Sequence, residues 1–96
     1  MPAFKDHAAD RRFQQMFAGA DGIEHPVWAE YAARGRARVI LHVEAHPDLR
    51  GTGAAGRFMQ AMAEYARAEA LTLIPHCSYA VAWLKRHPEY EDVLGS

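Results

Sequence analysis

Cysteine is almost missing from this chain: Cys77 is the single one among 96 residues. No internal disulfide can staple the fold, so a hydrophobic core must hold it unaided. An excess of charge of either sign is missing too, since 11 Lys and Arg against 12 Asp and Glu leave a net charge of −1. That removes the usual reason to expect nucleic acid or a membrane surface as a partner. No apolar run approaches the length of a membrane span, and the N-terminal stretch lacks the charged-then-apolar plan of a signal peptide. The expected compartment is the cytoplasm. Linkers, internal repeats and low-complexity tracts are also lacking, which leaves one small domain over residues 1–96. What is present suits a globular protein, with 50% hydrophobic and 24% charged residues.

Residues 1–10 are mostly polar and read as a loose N-terminal arm. Arg12 to Ala18, with Phe13, Met16 and Phe17, reads as a strand because a turn containing Gly19, Asp21 and Gly22 follows it. Pro26 to Ala33 carries Val27, Trp28 and Tyr31 and ends at the turn signal Arg34-Gly35; its propensities tolerate strand or helix. Arg38 to Ala45 is the clearest strand. From Ala55 to Ala70, Arg57, Gln60, Glu64 and Arg67 form one polar stripe, opposed by Ala55, Met59, Met62 and Ala66. This is the pattern of an amphipathic helix. Leu71 to Ile74 is a short strand ended by Pro75, and Ser78 is positioned to cap a last helix, Tyr79 to Arg86, which must stop near His87-Pro88. Trp28 and Trp83 are assigned to the core, with a contact from Trp83 to a cofactor arm as the lesser alternative. Strand, helix and strand in succession imply a parallel pair joined by a right-handed crossover.

Between the clearest strand and the helix lies Pro47-Asp48-Leu49-Arg50-Gly51-Thr52-Gly53-Ala54-Ala55-Gly56. A glycine-rich turn that delivers a strand into a helix lets backbone N–H groups converge at a partly positive helix end, which makes an anion site. The turn matches G-x-G-x-x-G, yet a dinucleotide fold needs several further strand–helix units. Only about forty residues follow Gly56, and the next strand ends in His76 and Cys77 rather than an acidic residue. A P-loop is excluded because no Gly-Lys-Ser/Thr follows. The plain alternative is a tight turn with close helix packing, against which Arg50 beside the glycines favours an anion.

Leu49-Arg50-Gly51-Thr52-Gly53-Ala54 resembles the pyrophosphate-binding turn of the GCN5-related N-acetyltransferases. Three blocks, His42-Val43-Glu44-Ala45, Ile74-Pro75-His76-Cys77-Ser78-Tyr79 and Arg86-His87-Pro88-Glu89-Tyr90, are similar in order and spacing to the very short members of that superfamily. The resemblance runs from about Val27 to Leu94, more weakly through Phe13 to Phe17. It implies a minimal α/β (α+β) fold of the acyl-coenzyme A N-acyltransferase type: a mixed, mostly antiparallel sheet with two helices. It also implies acetyl-coenzyme A as cofactor and a small-molecule or protein amine as acceptor. Asp48 departs from the superfamily pattern, which has Gln or Arg there, so its carboxylate is expected to point to solvent. The helical pair that larger relatives insert after their first strand is absent, so the acceptor pocket is expected to be open or completed by a second subunit in a homodimer.

For such chemistry the anchoring candidates are the backbone from Arg50 through Gly51, Thr52, Gly53 and Ala54 to Ala55, with Arg50 and Arg57 supplying charge. Lys85 and Arg86 read as a solvated helix end favoured by the helix dipole, and Arg86 is a further candidate for a cofactor phosphate. Glu44 and His42, two apart on one strand face, are candidate bases, against the plainer reading of a solvated face. His46 extends them to His42-x-Glu44-x-His46, but Cα spacings of roughly 7 Å along a strand suit a single metal ion poorly. No metal is expected. His25, His46 and His87 each precede proline and read as boundary residues rather than a cluster. Cys77, at a helix start, is a candidate nucleophile or thioester-lining residue, or else inert and buried. Tyr79 is the candidate donor of a proton to the leaving thiolate, with Tyr90 second. The rivals to N-acetyl transfer by direct attack are a coenzyme A-binding module without turnover and an interaction domain that binds no cofactor.

Overall fold

Residues 3–95 are described by the computed structural model. Five strands form one sheet in chain order: β1 (Lys5–His7), β2 (Arg12–Ala18), β3 (Glu24–Arg34), β4 (Ala37–Ala45) and β5 (Thr72–Pro75). The first four are antiparallel neighbours joined by short turns, where Gly22 and Gly35 take positive φ values of 78° and 55°. β4 and β5 run parallel, so the chain must cross over between them. Helix α1 (Ala54–Ala68) makes that crossover, α2 (Ser78–Lys85) follows β5, and 3-10 turns occupy Pro47–Leu49 and Pro88–Val93. The expected mixed, mostly antiparallel sheet with two α-helices is therefore what forms. The segment whose propensities tolerated a helix is the eleven-residue strand β3.

Alternation sorts the strand residues between two faces. Phe13 and Phe17 of β2 and Val27, Ala29 and Tyr31 of β3 turn inward, where Phe58, Met59 and Met62 of α1 and Trp83 and Leu84 of α2 meet them in one core. Arg12, Gln14, Trp28, Glu30, His42 and Glu44 are in register on the opposite face. Trp28 is thus not a core residue: being one step from Val27 and Ala29, it must face outward, and the Arg12 guanidinium lies 4.7 Å from its ring centroid. Trp83 is in the core as expected.

The start of the chain is also firmer than a loose arm. Lys5–His7 pairs with β2, and the Phe4 ring lies against Phe13, Phe58 and Tyr65. Asp6 accepts hydrogen bonds from the hydroxyls of Tyr31 (2.5 Å) and Tyr65 (3.4 Å). Burial, with the Asp6 carboxylate adding to it, pushes the Tyr31 hydroxyl up to about 12. One aromatic and one carboxylate with buried partners anchor a segment whose composition is otherwise polar. Residues 1 and 2 lie outside the described residues. At the other end, Arg67 of α1 makes two hydrogen bonds to Asp92, of 2.7 and 2.8 Å, and a third to the Glu89 carbonyl.

Two outcomes follow. Phe13→Ala should cost about 3–5 kcal/mol, a large part of the stability of any domain this small, and urea unfolding measures it. The Asp92 carboxyl is held below the usual carboxylate range, chiefly by its hydrogen bonds from Arg67. A depressed folded value means this latch contributes fully above the ordinary carboxylate range and is lost as pH falls below that range through the lowered folded value. Wild type and Asp92→Asn should therefore differ in protection of the Pro88–Val93 amides at neutral pH and converge in acid, as read by hydrogen exchange.

Candidate functional site

The parallel pairing is short. β4 meets β5 only from Ala37↔Thr72 to Ile40↔Pro75. Pro75 has no N–H to continue the ladder, and the Ile40 carbonyl accepts the last two donors, His76 N–H at 2.9 Å and Cys77 N–H at 3.3 Å. At this point β4 also carries a bulge: Tyr31 pairs with Ile40 and Glu30 with His42, leaving Leu41 as the extra residue. Beyond it β4 stays paired with β3 while the chain after β5 turns into α2, so the strands part. The His46 N–H points to β3, bonding the Pro26 carbonyl. Strand alternation then turns the N–H groups of Val43 and Ala45 toward the open edge.

The gap leads into a cleft of about 360 Å³ lined by Ala45, His46, Leu49, Arg50, the glycine turn and Tyr79. The turn is held from below. Thr52 donates its hydroxyl to the Leu49 carbonyl (2.6 Å) and accepts from Ala54 N–H (3.2 Å), while Thr52 N–H also bonds Leu49. The Thr52 side chain is therefore used inside the turn, satisfying the first N–H of α1 rather than facing the cleft. Gly51 and Gly53 take φ values of 81° and 76°, the left-handed region open to glycine. The N–H groups of Gly51, Gly53, Ala55 and Gly56 make no hydrogen bond among the described residues. Four unsatisfied donors at the start of a fifteen-residue helix, with Arg50 beside them, form a cradle for an anion. These residues fit a phosphate.

The other sequence candidates divide sharply. Tyr79 lines the cleft, and burial lifts its hydroxyl above the ordinary tyrosine value, with Cys77 adding to the shift and Arg86 opposing it. Cys77 is half-buried and caps α2: its Sγ, not the Ser78 hydroxyl, accepts from Ala80 N–H at 3.4 Å. The extended backbone of Cys77 makes it the capping position, one residue before the expected Ser78. Arg86 lies at the exposed C-terminal end of α2. Arg57 turns away, its guanidinium 5.2 Å from the Phe17 ring centroid. His42 and Glu44 sit 3.0 Å apart, each about half exposed, on the open face of the sheet, and neither lines the cleft. Tyr90 is excluded as a proton donor in the cleft, because it packs in the core and donates to Glu64 at 2.7 Å.

Asp48 points away from the cradle as expected, half-exposed and 3.6 Å from His25 Nε2. That contact uncovers a cluster the sequence reading missed. His25 and His46 are not isolated boundary residues: their rings stack at 4.3 Å, with Asp21 3.2 Å from His25 Nε2. Residues 21 apart in sequence meet because the register sets Val27 opposite Ala45, which carries the flanking histidines together. The hairpin register was the signal that could have found them.

A small mixed sheet whose parallel pair parts over a helix N-terminus is consistent with a minimal N-acyltransferase-type fold. Comparison of the sequence with family profiles agrees: the profile described as GCN5-related N-acetyl-transferase matches residues 16–93. The chain belongs to that family, and acyl transfer is its general chemistry. No curated protein sequence matches the chain significantly. Among the described residues no helix is long and apolar enough to cross a membrane.

Two glycines of the turn should respond in opposite directions to substitution. A Cβ on Gly56 meets only the Trp83 indole nitrogen, at an ordinary 3.5 Å, so Gly56→Ala should stabilise the fold by roughly 0.5–1 kcal/mol through helix propensity. Gly53→Val imposes the left-handed penalty and should destabilise by about 1–2 kcal/mol. Thermal or urea unfolding of the two variants gives both signs.

Proposed function

We propose that the protein transfers an acetyl group from acetyl-coenzyme A to a primary amine, which attacks the thioester directly. The observation that carries this reading is the set of four free N–H groups at Gly51, Gly53, Ala55 and Gly56, located where β4 and β5 part. Their place is suited to the pyrophosphate, with Arg50 adding charge at the rim. Acetyl-coenzyme A supplies the activated acetyl carbon and a thiolate leaving group. Along the open edge of β4, the N–H groups of Val43 and Ala45 are the donors able to hydrogen-bond the acyl arm and polarise a carbonyl.

Tyr79 is the residue best suited to protonate the departing sulfur. A tyrosine hydroxyl is protonated at neutral pH, the state a general acid needs, and burial shifts this one further in that direction. Cys77 is not among the residues lining the cleft, and its sulfur already accepts the Ala80 N–H at the cap. Direct attack needs no further activation of that thiol. The amine must arrive neutral. Glu44 with His42 is the candidate basic pair, on the open face where an acceptor has access without passing the helices, and a water would relay the proton. The same geometry favours a second reading: the pair is satisfied internally and lies outside the cleft, as in a coenzyme A-binding module that does not turn over.

Free-thiol release from acetyl-coenzyme A across a panel of amines separates the two. Release above background supports the transferase. Binding without release on every amine supports the module, and a melting temperature that stays flat at millimolar coenzyme A rejects both. Gly53→Val should abolish cofactor binding, with a larger effect than Arg50→Ala; equal binding in wild type and Gly53→Val would reject the cradle. Tyr79→Phe should lower kcat by about 10²-fold with little change in KM, and the alkaline limb of the wild-type profile should lie above the ordinary tyrosine value. Full turnover by Cys77→Ala would rule out an acetyl-cysteine route.

A further inference from the structure

We infer that His25, His46 and Asp48, with Asp21 beside them, form a binding site for a divalent transition-metal ion such as Zn2+. One potential ligand atom from each of His25, His46 and Asp48 lies within 4.8 Å of the others. At the centre, His25 Nε2 is 3.2 Å from Asp21 Oδ2 and 3.6 Å from Asp48 Oδ2. A tetrahedral ion with bonds of ~2.0–2.1 Å sets neighbouring ligand atoms roughly 3.3–3.4 Å apart. The His25 contacts already bracket that spacing. Two imidazoles and carboxylates, with no thiolate, suit zinc, cobalt or nickel rather than calcium or magnesium.

Three separate pieces of chain are held together to make the cluster. Asp21, on the turn between β2 and β3, accepts from the Ile23 N–H at 2.9 Å, and with His25 this keeps its carboxyl below the usual range. His25 opens β3 with its side chain only 13% exposed. His46 and Asp48 come from the loop after β4, where the Asp48 N–H donates to His46 Nδ1 at 3.1 Å. Gly19 permits the two turns to close, since a Cβ there would lie 2.8 Å from Asp21 Oδ1, 3.1 Å from the Asp48 carbonyl and 3.1 Å from the His25 ring. The Asp48 side chain, 56% exposed, leaves an entry path.

One adjustment is required. The His25 and His46 planes are 16° from parallel at a 4.3 Å centroid separation. Imidazole nitrogen binds a metal in the plane of its ring, and two stacked planes share no such point. His46 therefore tilts out of the stack, exchanging its bond from the Asp48 N–H for one to the ion, and His25 Nε2 presents its lone pair beside the Asp21 and Asp48 carboxylates. The site is independent of the acyl-transfer reading, although it is built on the loop that enters the glycine turn.

The test uses tag-free protein over the full sequence, titrated with Zn2+ by calorimetry and with Co2+ by visible absorption. The expected result is one ion per chain, with the intense visible bands of tetrahedral Co2+ and no sulfur-to-cobalt charge-transfer band. Asp48→Asn, His25→Ala and His46→Ala should each weaken binding at least tenfold, while His7→Ala, on the exposed edge strand, should leave it unchanged. Asp48→Asn keeps shape and exposure, so it decides the matter if His25→Ala loosens the hairpin. No saturable binding by the wild type, unchanged affinity in Asp48→Asn, or a thiolate band that marks Cys77 as the ligand would overturn the site.

Discussion

The site depends on the point where β4 loses β5. A sheet edge with free donors is normally covered or blunted, because it invites pairing with another chain. Here Pro75 ends the parallel ladder, the Ile40 carbonyl takes the last two N–H groups, and the Leu41 bulge redirects the strand. The edge of β4 that follows is open by construction and continues directly into a turn whose own donors are unsatisfied. One interruption therefore makes both halves of the cleft, the open strand edge and the turn with free N–H groups.

The remainder of the fold keeps that interruption rigid. Phe58, Met59 and Met62 lock α1 against β2 and β3, so the helix N-terminus cannot drift from the end of β4. Thr52 spends its hydroxyl and N–H on the Leu49 carbonyl and the helix start, leaving the outward N–H groups of its neighbours free. Arg67 ties the last turn to α1, and Asp6 ties the first strand to Tyr31 and Tyr65. Without a disulfide, each end is held by the hydrogen bonds of one charged side chain over aromatic packing.

Much of this was legible. Periodicity over Arg57 to Arg67 located α1, the turn signals at Gly22 and Gly35 bounded β3, and the glycine run beside Arg50 marked the cradle. These are local properties, encoded in the residues that display them. Less legible were the polar first residues, because the decisive contacts of Phe4 and Asp6 lie more than twenty residues away at Tyr31 and Tyr65. Trp28 was misplaced because large aromatics usually fill cores, whereas its parity against Val27 and Ala29 sends it outward. Ser78 has the better side chain for a cap, yet backbone conformation gave that position to Cys77.

By itself the sequence determined most of the elements, the glycine turn at the helix start and the family, since each is written in spacing within one segment or in the order of three short blocks. Tertiary structure alone decided which chemistry-bearing side chains meet. It took His42 and Glu44 to the open face, turned Arg57 onto Phe17 and gave Tyr90 to Glu64. It also stacked His25 on His46, and only the β3–β4 register could bring them together. The physical reason is the period of two in a strand: a single bulge or a one-residue shift changes which face a side chain serves, without altering the local pattern that predicts the strand.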